Sequence, residues 1–418
     1  METIRMTQRE LSRAVALGLV AEGKWTLRQA AEQMGLSGRQ SRRLFRRFDQ
    51  DGAAGIAHRS RGRPAANRLA AEVRRRVLEL VGDRYGGFND THLREALLER
   101  EGIAIGRETL RRLLRSQGIA AKRRRRPRKH RRRREPSPNR GQMVQWDGST
   151  HRWVGNDGPQ WSLLAAVDDA DGTASNALFA SSESSLSYLQ LLAGVVDRVG
   201  IPLSVYQDQH GALVRNDGHW SLEEQLRGEQ DPTQVGAALR DLGIRAIIAR
   251  SPQGKGRIER FFGVAQDRLS AELTLRGITT LQAANQYLQG EWIADFNRRF
   301  ADRPAAPEIL YRSGKHLDLH KILALRYERT VAADNTIRLG DLTLQIPPGP
   351  RHRSYAKARV DVRQHLDGSW SVYYQDHRIA HHPATAIAEP FRARLRTSRC
   401  RHTKGAQQAI LVYFQEPV

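Results

Sequence analysis

The sequence predicts a multidomain chain, with all-α domains at the N-terminus, an α/β core built on a mixed sheet, and a small β-barrel at the C-terminus. Its 418 residues exceed one typical core and should form about three or four domains. Helical periodicity in the first part gives way to short apolar runs and then to alternating polar and apolar residues. We expect two helical domains (1–62 and 67–121), a linker (122–140) and the α/β core (141–302). A connector (303–328), the β-barrel (329–390) and a C-terminal tail (391–418) should follow.

A strong positive charge runs through the chain. Lys and Arg number 69 against 45 Asp and Glu, a formal net charge of +24. This charge predicts a polyanionic partner, nucleic acid first and an anionic membrane second. Because no run approaches the roughly 18 apolar residues of a spanning helix and no signal-peptide layout is present, we expect a soluble, cytoplasmic protein without a membrane partner. Cys400 is the only cysteine, which excludes an internal disulfide and a cysteine-based zinc site.

Two helix starts lie close together near the N-terminus. Thr26 and Ser37 each stand three positions before a glutamine, the pattern of a reciprocal helix cap, and Gly35 lies in the turn between them. The pair predicts a helix-turn-helix, which is a DNA-binding motif. The alternative is a helical hairpin whose basic face is simply exposed to solvent. Its second helix carries side chains suited to base edges and phosphates: Arg39, Gln40, Arg42, Arg43 and Arg46.

A second pair of helices follows, with leucines at helical spacing and a break between Gly102 and Gly106. We interpret it as a second helix-turn-helix. Two DNA-binding motifs in tandem would bind a longer duplex site, and would do so more selectively than one motif alone. The second helix of this pair again carries a row of basic residues: Arg107, Arg111, Arg112 and Arg115.

A basic linker separates these domains from the core. Eleven of the thirteen residues from Lys122 to Arg134 are Lys or Arg. Because like charges repel, we expect an extended segment that tracks phosphates without reading sequence, or else a solvated tether. The expected phosphate contacts are Lys122, Arg123, Arg124, Arg125, Arg126, Arg128 and Lys129.

The core is expected to follow the order three strands, helix, strand, helix, strand, helix. Asp147 ends the first apolar run, Asp208 follows the fourth strand, and Glu259 lies on the last helix after a glycine-rich approach. Other carboxylates are given structural roles. Asp168, Asp169 and Asp171 are expected in a hairpin turn that ends at Gly172, and Asp217 and Asp231 in solvated loops.

Four segments carry a family resemblance by their order and spacing: WDGS (146–149), YQDQHG (206–211), SPQGKGRIER (251–260), and FNRR with RP (296–304). From about residue 10 to residue 390 the chain resembles the DDE transposases of the ISNCY-type insertion sequences, relatives of retroviral-type integrases. The resemblance implies an RNase H-like core, an SH3-like C-terminal barrel, and a metal site made of Asp147, Asp208 and Glu259.

Carboxylates suit this chemistry because Mg²⁺ prefers hard oxygen ligands. Two Mg²⁺ (or Mn²⁺) ions roughly 3.5–4 Å apart stabilise both the attacking and the leaving oxygen of a phosphodiester displacement. We expect Asp147 to bridge the ions, Asp208 to complete one site and Glu259 the other.

The resemblance implies a transposase that binds double-stranded DNA, both the element's terminal repeats and the target, cleaves it and joins strands. Holding two ends implies a homo-oligomer, at least a dimer, and no small-molecule substrate is expected. The alternative is a transposase-derived DNA-binding regulator that keeps the core only as a scaffold. Three intact carboxylates favour the enzyme, since a scaffold has no need of them.

Several roles have two interpretations at this stage. Lys255 and Arg257 are candidate DNA contacts, but Lys255 can instead pair with Glu259 one helical turn away. His210 can contact DNA or a leaving group, or hydrogen-bond within the fold. The C-terminal barrel can bind DNA, assemble subunits or be purely structural, and the basic tail from Arg392 to Lys404 favours DNA.

Overall fold

The computed structural model describes residues 6–58, 69–122, 134–155, 157–215, 218–249 and 252–385. The chain divides into two compact units, residues 1–79 and 80–418. Within the described ranges no helix has the length and apolar character needed to cross a membrane. Several predictions lie outside the described residues: Arg123, Arg124, Arg125, Arg126, Arg128, Lys129, Asp217 and the tail from residue 391.

The first unit contains the predicted helix-turn-helix and one additional helix before it. Its helices are α1 (Gln8–Ala21), α2 (Leu27–Met34) and α3 (Gly38–Asp51). Thr26 caps α2 and Ser37 caps α3 in the reciprocal arrangement expected from the sequence, and Gly35 takes the left-handed conformation (φ +62°) that ends α2. The helices share a small apolar core around the fully buried Leu17. The helix-turn-helix prediction is therefore confirmed.

The second helical pair forms where the leucine pattern places it. It consists of α5 (Asp90–Glu101) and α6 (Arg107–Ser116), preceded by α4 (Ala71–Asp83). Asn89 caps α5 by accepting two backbone N–H groups, and Gly102 ends it with a φ of +67°. The helices bury five of their six leucines, with Leu97 and Leu110 fully enclosed, whereas Leu98 is exposed.

The core is a mixed five-stranded sheet, as predicted. Its strands are β1 (Val144–Arg152), β2 (Gln160–Asp168), β3 (Ala174–Ala180), β4 (Ser204–Gln207) and β5 (Arg245–Ile248). The strand order is β3-β2-β1-β4-β5. The first three strands are antiparallel neighbours, and β4 and β5 run parallel to β1. The mixed sheet predicted for the core is therefore present.

Helices cover both faces of this sheet. Those of the core are α7 (Ser185–Arg198), α8 (Leu222–Arg227), α9 (Gln234–Asp241), α10 (Gly256–Val264), α11 (Ser270–Leu275), α12 (Leu281–Tyr287) and α13 (Ile293–Phe300). Successive residues of a strand point to opposite faces. Leu164 of β2 therefore joins the apolar cluster that contains α7 and α9, whereas Leu163 joins the cluster that contains α10 to α13.

The C-terminal part is built of two small sheets. After α14 (Leu319–Ile322), its strands are β6 (Leu325–Thr330), β7 (Thr336–Leu339), β8 (Leu342–Gln345), β9 (Arg359–Gln364), β10 (Trp370–Tyr374) and β11 (His377–His382). One sheet has the order β11-β10-β9-β6, and β7 pairs with β8 in the other. The sheets do not close, so the predicted SH3-like barrel is not confirmed. Both sheets bury side chains in the same apolar cluster as α9.

Candidate active site

Two of the three predicted carboxylates lie on neighbouring strands. Asp147 lies within β1, and Asp208 directly follows β4. These strands are parallel, with Val144 opposite Val205 and the next residues also in register. The same register continued along the two strands puts Asp147 beside Asp208. The sheet therefore brings together residues that are far apart in the sequence.

A buried hydrogen bond joins the residues that precede the two aspartates. The indole Nε1 of Trp146 donates to Oε1 of Gln207 over 3.0 Å. Each residue is only 1% exposed, and the Trp146 ring packs at 5.7 Å from that of Tyr188. Because both groups are buried, the bond satisfies a polar pair that water cannot reach. It holds β1 to β4 immediately before the carboxylates.

Lys255 places its ammonium group between the two aspartates. Its Nζ lies 3.3 Å from Oδ2 of Asp147 and 3.5 Å from Oδ2 of Asp208, and its side chain is 9% exposed. Burial raises the pKa of Asp147 above its ordinary value; Lys255 opposes this shift and the neighbouring Asp208 adds to it. The space between the two carboxylates thus accepts a positive charge.

Glu259 is not joined to this pair. It lies in the first turn of α10 and is exposed, and no hydrogen bond or ion pair links it to Asp147 or Asp208. The pairing of Lys255 with Glu259 is not observed either. Lys255 precedes the first residue of α10, so its side chain is directed to the sheet and not along the helix face. Within the described ranges, no three His, Cys, Asp or Glu side chains are arranged to hold a metal ion.

Glu183, a carboxylate that the sequence did not indicate, packs against β1 at the residue after Asp147. Glu183 precedes Ser184, the N-cap residue of α7. A β-carbon on Gly148 would lie 2.2 Å from Cδ of Glu183, so this carboxyl group packs directly on the β1 backbone. A glycine inside a strand often marks such a close approach, and Gly148 was therefore the available signal in the sequence.

His210 takes a mainly structural position in the loop after β4. Its backbone N–H donates to Oδ1 of Asp208 over 3.0 Å, and its Nδ1 accepts from the backbone of Ala212 over 3.3 Å. Its Nε2 lies 3.9 Å from Oε2 of Glu183. The ring therefore lies between the Asp208 loop and Glu183.

The acidic turn anchors the end of the basic linker. The predicted turn is present, and Gly172 has a φ of +75°. Asp168 is fully buried and accepts hydrogen bonds from the backbone of Gly141 (2.8 Å) and the hydroxyl of Tyr311 (2.9 Å). Asp169 binds Arg134, and Asp171 lies 3.0 Å from Arg140. These carboxylates therefore fix the polypeptide where it enters β1.

The predicted DNA-contacting residues differ in how freely they are presented. Those of α3 are exposed: Arg39, Gln40, Arg42, Arg43 and Arg46. Gln40 also completes the cap of α3 by accepting from the backbone of Ser37. Gln40 apart, this helix presents an open basic surface.

The basic row of α6 is partly neutralised within the fold. Arg111 and Arg112 both pair with Glu108, at 2.9 and 3.0 Å, and lower its pKa to about 2. Arg115 pairs with Asp90 at 2.6 Å. Arg107 is exposed at the start of the helix. The basic faces of α3 and α6 therefore differ in available charge.

Two further candidates are engaged with the core. Nζ of Lys122 donates to the backbone carbonyl of Asp267 over 2.6 Å. Arg257 lies 2.5 Å from Oδ2 of Asp302 and donates to the carbonyl of Ala170 over 3.1 Å, with 19% of its side chain exposed. Both cations thus contribute contacts within the fold.

The second helical pair docks on the core through buried charges. Glu272 of α11, whose side chain is 5% exposed, accepts from Nε2 of His92 (2.9 Å) and Nη2 of Arg100 (2.7 Å). Glu95 lies 2.6 Å from Arg268 and 3.1 Å from Arg299. Burial opposes ionisation of Glu272, yet these hydrogen bonds prevail and hold its pKa below the ordinary value.

We expect Glu272→Gln to destabilise the protein most at neutral pH. A carboxylate whose pKa is lower in the folded than in the unfolded state stabilises the fold above the unfolded pKa of about 4.3, and this contribution is lost as pH falls through the folded value. Thermal unfolding of both proteins across pH checks this, with the exposed Glu229→Gln as control. A difference in Tm that persists unchanged in acid would contradict it.

Comparisons with known proteins agree with these features. A family model described as a winged helix-turn helix matches residues 13–75. The chain is 34% identical over 384 residues to "Putative transposase y4bF" of Sinorhizobium fredii (strain NBRC 101917 / NGR234), covering 91% of this chain and 82% of that protein. It is 28% identical over 364 residues to the transposase for insertion sequence IS1202 of Streptococcus pneumoniae, and the alignment covers 79% of this chain and 76% of that protein.

Solved structures give a weaker match. The HTLV-2 integrase catalytic core domain in complex with magnesium aligns with 37% of this chain and 88% of its own, at 15% identity and a TM-score of 0.25. The two sequence relatives, which extend over most of both chains, are the informative comparisons.

Proposed function

This chain belongs to the transposase family, and we propose that it cuts and joins DNA at the ends of an insertion sequence in a metal-dependent reaction. The observation that supports this chemistry best is the pair Asp147 and Asp208 on neighbouring strands, with the ammonium of Lys255 between them. A position that holds a buried cation between two carboxylates has the charge and the oxygen donors that a divalent metal requires.

The proposed ligands are Asp147, Asp208 and Glu259. Two Mg²⁺ or Mn²⁺ ions would supply charge stabilisation at the attacking and leaving oxygens of the phosphodiester. Asp147 and Asp208 hold the positions set by the sheet. Glu259, in the exposed first turn of α10, would complete the set, and this would require the start of that helix to shift toward the aspartates. Lys255 then transfers its ion pairing from the aspartates to a phosphate oxygen of the DNA.

DNA recognition is assigned to the basic helices. The exposed face of α3, with Arg39, Arg42 and Arg43, has the residue types that contact base edges and phosphates. The net charge of +24 gives the whole chain an attraction for the duplex backbone. We propose that at least two copies act together, because joining requires paired element ends as well as a target duplex.

The test incubates the full chain with labelled DNA that carries its own element's ends, in Mg²⁺, in Mn²⁺ and in EDTA. We expect nicks at a fixed position near the end, only with metal, and their loss in Glu259→Gln. The matched control is Glu223→Gln, an exposed glutamate of α8. Tight binding of the ends without cleavage in any metal would favour the transposase-derived regulator instead.

A further inference from the structure

We propose that the second helical pair, α5 with α6, sets the distance between the DNA sequence that it binds and the position at which the DNA is cut. This inference rests on the proposed function and deepens it, because it gives the pair a fixed place beside the active site. Both helices belong to the same compact unit as the core, whereas α1 to α3 lie in the other unit. A DNA-binding helix that is rigidly attached to the core acts as a spacer.

One continuous helix connects the candidate active site to the surface on which α5 docks. It begins with α10 at Gly256, directly after Lys255, and continues through a π-helical turn (Ala265–Leu269) into α11. Both junctions keep right-handed helical backbone angles, so the helix does not break between α10 and α11. Arg268 lies thirteen residues beyond Lys255, which corresponds to roughly 20 Å along a helix and to about six base pairs of duplex DNA.

Hydrogen bonds to β1 fix this helix relative to the aspartates. The backbone N–H of Ile258 donates to Oε1 of Gln145 over 3.2 Å. One end of β1 is thereby joined to the start of α10. Nε2 of Gln266, in the π-helical turn, donates to Oγ of Ser149 over 3.2 Å. Gln145 and Ser149 lie on either side of Asp147 in β1, so the helix cannot shift as a whole without breaking contacts next to this aspartate.

The second helical pair holds the π-helical turn at three points. Asn89, the cap of α5, donates from Nδ2 to the carboxylate of Asp267. Lys122, in the chain after α6, lies 3.3 Å from Oδ1 of the same aspartate. Glu95, within α5, pairs with the neighbouring Arg268 at 2.6 Å. Three contacts from different parts of the pair fix both its position and its direction on the core.

The charged character of the contact favours a role in orientation. His92 of α5 and Glu272 of α11, whose side chains are 9% and 5% exposed, are joined by a bond of 2.9 Å. A buried ion pair adds little net stability, because the cost of desolvation offsets the attraction, but its geometry restricts how two surfaces fit together. Apolar packing alone would hold α5 on the core without fixing its angle so closely.

The arginines of α6 can meet DNA while α5 remains docked. Arg107, Arg111 and Arg112 are exposed, whereas the docking residues lie on α5 and in the chain before and after the pair. Glu108, the partner of Arg111 and Arg112, is 55% exposed. Because exposed ion pairs contribute little, a DNA phosphate can replace this glutamate.

The first test locks the pair on the core with a disulfide. A β-carbon on Gly87 would lie 3.8 Å from that of Ala271, which is inside the roughly 3.5–4.5 Å range of disulfides. We expect the oxidised double variant Gly87→Cys, Ala271→Cys to bind labelled end DNA and to cut it at the wild-type position, at the same rate as its reduced form. Each single cysteine variant is the control for pairing with Cys400.

The second test loosens the contact in the full chain and maps every cut to the nucleotide. Glu95→Lys places a third cation beside Arg268 and Arg299 and should repel α5 from the core. We expect the single cut position to be lost and the products to spread over several neighbouring nucleotides, with unchanged affinity for end DNA. Oxidation of the same variant carrying the cysteine pair should restore the single position. Glu223→Lys, the same reversal on an exposed residue of α8, should cut as the wild type does.

The outcomes separate this inference from the proposed function. A single wild-type cut position in Glu95→Lys would overturn the inference and leave the proposed function standing. A locked protein that cuts only after reduction would also overturn it, because the pair would then have to leave the core before cleavage. Absence of cutting in every protein, wild type included, would overturn the proposed function and this inference with it. If Glu95→Lys does not fold, Arg268→Ala takes its place, and an unchanged cut position would again overturn the inference.

Discussion

Asp208→Asn is expected to slow DNA cleavage on the order of 1,000-fold while leaving binding of the element ends nearly unchanged. Asparagine keeps the size of the side chain and removes the charge that would hold a metal ion. Metal ions supply several kcal/mol of charge stabilisation in such displacements, and each 1.4 kcal/mol or so corresponds to about a factor of ten in rate. Asp208 follows β4 and is half-exposed, so we expect the fold to tolerate the change.

The measurement pairs a cleavage assay with a binding assay on the same labelled DNA. Asp231→Asn is the matched control, because Asp231 is 62% exposed and pairs with Arg227 on the surface at 2.8 Å. Cleavage by the control should equal that of the wild type. Cleavage retained by Asp208→Asn would remove this residue from the site.

Trp146→Ala is expected to destabilise the protein by about 3–5 kcal/mol, the range for removing a large buried aromatic side chain. Trp146 is 1% exposed and packs in the apolar cluster that includes Tyr188. The substitution also leaves Oε1 of Gln207 without its donor in a buried position. Because Gln207 directly precedes Asp208, cleavage should fall together with stability.

Denaturant unfolding of the full chain measures the stability change. Trp220→Ala is the control, since Trp220 is 42% exposed and its removal should lower the free energy of unfolding by clearly less than that of Trp146. Trp146→Phe separates the two effects, because it keeps most of the packing and loses the N–H donor. Equal stability of Trp146→Ala and Trp220→Ala would show that the indole does not hold β1 to β4.

Local chemistry explains which parts of the fold the sequence could predict. Thr26 and Ser37 cap their helices through hydrogen bonds to residues three positions away. Because the contact is local, the sequence pattern alone is enough to predict it. The apolar runs of the core likewise predicted its strands. The C-terminal strands were also expected, but their closure was not. Closure depends on whether distant edge strands pair, and here β6 and β11 remain the edges of one open sheet.

Some residues of the candidate site could likewise be predicted from local sequence, whereas others could not. Asp147 and Asp208 could be named from their short segments, and the sheet register brings them together. Lys255 was open to two interpretations, because a spacing of four residues favours pairing with Glu259 only if both residues lie on one helix. The helix begins one residue later, so Lys255 pairs with the aspartates.

By itself, the sequence determined the caps of α2 and α3, the five strands of the core, the positive charge, and the family resemblance. Each of these depends on residue types or on neighbours a few positions apart. Only the tertiary structure decided that Glu183 packs on Gly148 and that Glu272 ties the second helical pair to the core. Glu183 and Gly148 are 35 positions apart in the sequence, and Glu272 and His92 are 180 apart. Contacts over such separations form through tertiary packing, so the sequence near each residue gives almost no sign of them.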